Sequence, residues 1–368
     1  MRTRIALAVI TAALSAGCTA GAIPEGTPAA TVNPALFTEP VADDADDPAV
    51  WIHPADPARS LVLGTNKVAA PRGALVMFGL DGRIRQTIGG LDRPNNVDVE
   101  QNVALGGRTL DIAIVTERLK HRLRVFSIHR DSGTVEDLAS IPVLEGETGE
   151  RSEPMGIAIF KRPSDGAVFA IVAPKTGNKT NYLWQYRLNA GADGRIAGQL
   201  VRRFGNFSME GAEPGEIGEI EAIVVDDALG YVYYSDERFG IRKSHANPDH
   251  ADAARELTVI GRDGYRADRE GLAIWSRPDG SGYLVSTDQY PNSTAFKFYR
   301  RGGRQGAPHD QQEVVHEILT SLDGTDGIEI TPVSLPGFER GLMIAMNSGV
   351  KNFALFRWED VRPKPASN

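Results

Sequence analysis

Between residues 41 and 361 the chain is written in short hydrophobic runs, some continuous and some alternating with polar positions. Glycine-containing turns, Asp-Gly pairs among them, separate the runs, and few stretches carry an amphipathic helical period. Such runs, bounded by turn residues, predict β-strands. Residues 73–82, 123–128, 183–188, 296–299 and 353–358 are examples, and most place an aromatic inside a strand that ends at a turn or polar pair. Phe78, Phe126, Tyr186, Tyr299 and Phe356 mark five units, and residues 240–243 fit a sixth in which Lys243 replaces the aromatic. The steps between markers are 48, 60, 57, 56 and 57 residues. That period is long for one hairpin and suits a four-stranded blade with its loops. Each blade alone would leave a hydrophobic face exposed, and a ring buries both. The spacing therefore predicts an all-β fold, a six-bladed β-propeller over residues 41–361. Because the repeat is weak, a pair of β-sandwiches or an irregular all-β fold is the competing reading.

The two ends read differently. Arg2 and Arg4 open a segment whose apolar run, Ile5 to Leu14, is followed by small residues. Residues 1–17 thus predict a secretory signal, too short to span a bilayer as a mature helix. Cys18 stands where cleavage would fall and makes the segment resemble a bacterial lipoprotein box, although Ser15 occupies a position more often held by Leu. A lipid on Cys18 would tether the protein to a membrane face; ordinary cleavage beside an incidental cysteine is the alternative. Expected localisation is therefore export, as a periplasmic or outer-membrane lipoprotein or a secreted protein. Pro24, Pro28, Pro34 and Pro40 mark residues 18–40 as a Pro-rich linker that does not pack, and residues 362–368 as a tail.

Composition narrows the functional classes. The formal net charge is −8, and −10 once residues 1–17 are removed, since they carry Arg2 and Arg4 and no acid. An acidic chain has no general field for polyanions, which disfavours nucleic acid as a partner. A single cysteine excludes an internal disulfide framework and a Cys-built zinc site. A closed propeller has no unpaired edge that demands a partner, so a monomer is expected.

Asp43, Asp44, Asp46 and Asp47 crowd into five positions directly before the apolar residues 49–52. Acidic runs are usually solvated arms, but this one leads straight into a strand, at what would be a propeller rim. Further acids stand at strand ends: Glu221, Asp236 and Glu237, Asp268 and Glu270, Asp323 and Asp326. Singly each reads as a turn acid; repeated in different blades, such positions converge on one face or on the channel. Hard oxygen donors without clustered His or Cys suit Ca²⁺. Lys67, Arg118 and Lys175 also follow apolar strands. Cations and carboxylates sharing one mouth describe a site for a metal-complexed anion, with phosphate the natural candidate. The sequence holds no G-x-S-x-G, no H-E-x-x-H and no Walker loop. The seven histidines show no ligand spacing and read as surface or capping residues.

Asp43-Asp44-Ala45-Asp46-Asp47-Pro48-Ala49-Val50-Trp51 is similar to the D-A-x-D-D-P-A-x-W signature of β-propeller phytases, and Asn95-Asn96-Val97-Asp98-Val99 to their second signature, N-N-x-D-x. The resemblance runs in order from about residue 41 to 360. It implies six blades, several bound Ca²⁺ ions, and hydrolysis of phosphomonoesters of phytate (myo-inositol hexakisphosphate). The reaction it implies is direct attack by a Ca²⁺-activated water, without a covalent phosphoenzyme. It further implies that Lys67, Arg118 and Lys175 bind phosphate, and that Asp46, Glu221, Glu237, Asp268, Glu270 and Asp326 hold the active-site ions. Asp47, Asp98, Asp323 and Asn347 match structural Ca²⁺ positions. Glu237, Asp326, Lys67 and Arg118 are the residues expected to carry catalysis. The chain departs from the pattern at Asp44 (usually Ala), Val68 (often a second Lys), Met155 (usually a phosphate-contacting Tyr) and Thr176 (commonly acidic). These departures bear on affinity and substrate more than on reaction class. Two alternatives stand beside this reading. A Ca²⁺-dependent six-bladed lactonase or esterase would want one central metal and an apolar acyl pocket, which the three cations oppose. A lipid-anchored binding propeller that has lost turnover is kept open by Met155 and Thr176.

Overall fold

The protein, here as a computed structural model, is described over residues 30–191, 195–210 and 218–364. Strands dominate, and the one α-helix among these residues is the short Trp358–Val361. They form six sheets. Blade 1 runs Ala45–Trp51, Leu61–Asn66, Gly73–Gly79 and Ile84–Leu91, each strand antiparallel to the next. Blade 2 is Pro94–Leu105, Arg108–Glu117, Arg122–Ile128 and Val135–Pro142, and blade 3 is Pro154–Lys161, Val168–Pro174, Thr180–Ala190 and Ile196–Asn206. Blade 4 is Ile223–Asp226, Tyr231–Asp236, Gly240–His245 and Glu256–Ile260, and blade 5 is Leu272–Ser276, Gly282–Tyr290, Ser293–Arg300 and Val314–Thr320. Blade 6 takes Ile328–Thr331, Leu342–Asn347 and Asn352–Arg357 from the chain's end.

All six repeat markers, Phe78, Phe126, Tyr186, Lys243, Tyr299 and Phe356, fall on the third strand of their blades. The reason lies in how the blades pack. The described core divides into six hydrophobic clusters, one at each junction between neighbouring blades. A third strand feeds two of them at once. In Gly73–Gly79, Leu75 and Met77 join the cluster against blade 2, whereas Ala74, Val76 and Phe78 join the one against blade 6. Alternating side chains thus point into apolar surroundings on both faces, and the strand reads as a continuous hydrophobic run. Lys243 meets the same position by other means: its ammonium donates to Pro308 O at 2.9 Å and Gln311 Oε1 at 2.8 Å and lies over the rings of Tyr231 and Tyr233. Burial pulls its pKa down to about 8.

The linker expectation for residues 18–40 needs correction over its described part. Leu36–Phe37 pairs antiparallel with Asn352–Arg357 and is the outer strand of blade 6, so the N-terminal segment closes the ring. Ala30–Thr31 adds a parallel strand to the edge of blade 5. Thr38 is buried and its hydroxyl accepts the Phe353 amide at 3.0 Å. Prolines mark where this segment turns; partners far along the chain decide that it packs. The expected signal segment and Cys18 lie outside the described residues.

Candidate functional site

Propeller geometry explains how acids scattered over 280 residues of sequence can meet. In every blade the start of the first strand is paired with the end of the second, as in Ala45↔Asn66, Pro94↔Glu117 and Pro154↔Pro174. Side chains at or just before the start of a first strand, and at or just after the end of a second strand, therefore share one face. Blade 1 brings Asp46 and Lys67 there, blade 2 Asn95 and Arg118, and blade 3 Lys175. Blade 4 brings Glu221 and Glu237, blade 5 Asp268, Glu270 and Gln289, and blade 6 Asp326.

Contacts tie these groups into one mouth. Lys67 forms an ion pair with Asp46 and a second, at 3.5 Å, with Asp326. The Asn95 amide, fully buried, donates to Asp46 Oδ2 at 3.2 Å and to Glu221 Oε1 at 2.6 Å. Its carbonyl oxygen accepts from Arg118 Nη1 at 3.4 Å. Arg118 Nε also donates to Glu153 Oε2 at 2.9 Å, and Lys175 pairs with Glu219. Gln289 Nε2 donates to Asp326 Oδ1 at 2.7 Å. Arg238 reaches Asp268 at 3.2 Å. Carboxylate oxygens of Glu219, Glu221 and Glu237 lie within 4.8 Å of one another.

The electrostatics of this mouth are unbalanced. Burial, with Glu221 and Asp268 nearby, holds Glu237 well above the usual carboxylate range. Burial raises Asp46, Glu270 and Asp326 as well, and Glu221 reinforces the shift in all three. Lys67 loses by burial but gains more from Asp46, Glu221 and Asp326, so it remains an ammonium. Lys175 is pulled down by burial and by Arg118. Buried like charges of this density cannot all ionise without added positive charge. Glu237 Oε1 is buried with no hydrogen-bond partner among the described residues. An orphaned oxygen among convergent oxygen donors fits a hard divalent cation. Glu219, Glu221 and Glu237 could hold such an ion together, and Asp46, Asp268, Glu270 and Asp326 are the further acids that could join them.

Asp47 and Asp98 belong to a different level. They point into the central channel, a cavity of about 340 Å³ walled by the first strands of all six blades. Asp47 Oδ2 accepts the Val97 amide at 3.0 Å, and Asp98 Oδ2 the Ile159 amide at 2.6 Å. Burial raises Asp98 to about 7 and, with Asp98 and Asp47 opposite, Glu329 to about 8. Asp323 precedes the first strand of blade 6: its carboxylate accepts the Asn292 amide at 3.1 Å, and its own amide donates to Asn347 Oδ1 at 3.2 Å. Met155 is buried, its carbonyl accepting from the Thr116 hydroxyl at 2.7 Å, so its side chain packs in the blade. Thr176 lines a separate cavity of about 400 Å³ with Arg151, Asn178, Trp184 and Arg203.

Sequence reasoning missed several members. Asn95 was visible only as part of a motif; its bridging role needed Glu221, 126 positions away, to come beside it. Gln289 carries no charge and gives no signal. Glu219 lay in the same acidic stretch as Glu221, two residues apart, which in an extended chain places both on one side. Glu329 did leave a trace: a charge between Ile328 and Ile330 points opposite to both, into the channel.

Two solved structures resemble the chain weakly. A putative 6-phosphogluconolactonase from Bacteroides fragilis NCTC 9343 aligns at 15% identity and a TM-score of 0.47, covering 84% of each chain. A functionally unknown protein from Desulfotomaculum acetoxidans DSM 771 aligns at 15% identity and a TM-score of 0.44, covering 68% of each. Likeness at that level carries no argument here. By sequence, a 3-phytase from Bacillus subtilis (strain 168) is 29% identical over 340 residues, covering 88% of this chain and 82% of that protein. The Phytase family model matches residues 2–361. With that match over nearly the whole chain, the six-bladed propeller and its acidic mouth belong to a member of the phytase family, a phosphoric monoester hydrolase.

Proposed function

We propose that this phytase is Ca²⁺-dependent and hydrolyses phosphomonoesters of myo-inositol hexakisphosphate by direct displacement on phosphorus, without a covalent phosphoenzyme. The observation that carries the reading is the convergence of Asp46, Glu221, Glu237, Glu270 and Asp326 with Lys67, Arg118 and Lys175 at one mouth. Left alone, these carboxylates repel a polyanion: two unit charges about 4 Å apart at an effective dielectric near 20 interact by roughly 4 kcal/mol. Bound Ca²⁺ supplies the opposing charge and lowers the pKa of a water in its shell. The carboxylates hold that charge in place, and Asn95 keeps Asp46 and Glu221 in register. Lys67, Arg118 and Lys175 exchange Asp46, Glu153 and Glu219 for phosphoryl oxygens and neutralise the charge that grows there in the transition state.

The test is phosphate release from phytate, beside p-nitrophenyl phosphate and a lactone. Activity is expected to vanish after exhaustive chelation and to return with Ca²⁺; full activity without metal, or turnover of the lactone alone, refutes the proposal. We propose also that the protein is exported and anchored through a lipid on Cys18, the reading that the N-terminal segment supports. Cys18→Ser then moves the protein from the membrane fraction to the soluble one, and an unchanged distribution rejects the anchor.

A further inference from the structure

The seven histidines show no ligand spacing in the sequence, yet the fold brings two of them together with an acid. We propose that His245, His250 and Asp252 form a binding site for a transition-metal ion of the Zn²⁺ class, on the face opposite the acidic mouth. The strand Gly240–His245 starts beside Asp236, next to the mouth, and ends at His245 paired with Tyr231. Five steps at about 3.4 Å each put His245 about 17 Å from that rim. There the His245 and His250 rings stack with centroids 3.6 Å apart and planes 17° off parallel. One ligand atom from each ring and one from the Asp252 carboxylate lie within 4.8 Å of one another.

The loop that carries two of these groups is braced. Arg202 donates to the carbonyls of His245 at 2.6 Å and Ala253 at 2.7 Å, so one guanidinium holds both ends of residues 245–253. Arg162 donates to Asn247 Oδ1 at 2.8 Å and Asp249 Oδ2 at 2.6 Å. A second observation points to the same place. Tyr231 packs against His245 on one side and His309 on the other, each 5.6 Å away between ring centroids. Nδ1 of His309 is buried with no hydrogen-bond partner among the described residues. A third imidazole with an unpartnered nitrogen therefore packs on the same tyrosine ring as His245.

The donor chemistry separates this site from the mouth. Imidazole nitrogen with one carboxylate suits Zn²⁺, Ni²⁺ or Cu²⁺, while the all-oxygen mouth suits a hard cation. The nearby cations are engaged elsewhere, Arg202 on backbone carbonyls and Lys243 on Pro308 and Gln311. Ligation has two local costs. The stacked rings hold their in-plane nitrogen lone pairs side by side, so they must turn apart before both nitrogens reach one ion. The Asp252 amide donates to His250 Nδ1 at 3.0 Å, and that hydrogen bond is given up whichever ring nitrogen takes the metal.

The experiment is Zn²⁺ titration by calorimetry on the full chain, with saturating Ca²⁺ present to compete at the mouth. The wild type is expected to bind one equivalent with micromolar affinity and to gain thermal stability. His250→Ala and Asp252→Asn, both at exposed positions, are expected to weaken uptake at least tenfold and to lose that thermal gain, while phosphate release with Ca²⁺ stays unchanged. His316→Ala, elsewhere in the fold, serves as control and binds like the wild type. No zinc uptake by the wild type, or equal uptake by wild type, His250→Ala and Asp252→Asn, overturns the proposal.

Discussion

Replacing Glu237 by Gln should change stability in opposite directions with and without metal. The carboxylate is buried, its Oε1 has no partner, and an oxygen of Glu221 lies within 4.8 Å. Two unit charges at that separation and an effective dielectric near 20 repel by about 3 kcal/mol. A neutral amide of the same shape removes this term. At a pH where the wild-type group is forced to ionise, or must take up a proton to avoid it, Glu237→Gln stabilises the metal-free fold by up to about 3 kcal/mol. For a chain this long each kcal/mol moves Tm by about 1–2 °C, so scanning calorimetry at pH 8 in chelator should show a rise of about 3–6 °C. With Ca²⁺ present the order should invert, because on the proposed function the variant loses an oxygen donor to the ion. Phosphate release from phytate should fall by about tenfold to a hundredfold in the same preparation. A variant less stable than wild type in chelator would refute the reasoning, since it would mean that Glu237 is held by favourable contacts.

Further outcomes follow from the same geometry. Lys67→Met leaves the buried Asp46 without its cation, and urea melts in chelator should show a loss of about 3 kcal/mol. In chelator the folded protein should lose stability as pH rises from 5 to 8. Asp98 (about 7), Glu329 (about 8) and Asp227, a channel-lining acid raised by burial and by Glu100 to about 8, keep protons in the folded state that the unfolded chain has already released; folding must take these protons up, which costs more with each pH unit until the folded groups lose them too. Melts across that range check the sign, and Ca²⁺ should flatten the curve. Leu36→Asp, in the strand that closes blade 6, should lower Tm with Ca²⁺ present or absent; an unchanged melt would show that the ring does not depend on this closure. Asn95→Asp adds a third carboxylate beside Asp46 and Glu221, and calorimetry should show tighter demand for metal: lower chelator stability and a larger gain on adding Ca²⁺.

The sequence by itself determined the blade count and the phase of the repeat. Third strands are buried on both faces, so their apolar runs and aromatics had to recur at blade spacing, and Lys243 still fell on that position. It also displayed the acids and cations at strand ends, because a group that must reach the mouth has to stand where a strand begins or stops. What the sequence could not contain was the meeting of those ends. Asn95 with Glu221, Lys67 with Asp326, and Leu36 with Leu355 are neighbours only because the ring closes. Pairing His245 with His250 and Asp252 likewise needed a loop folded back under Arg202. Local periodicity follows from burial along a single strand and is written in adjacent residues; a site assembled from six blades depends on contacts between distant segments, which only the closed tertiary structure supplies.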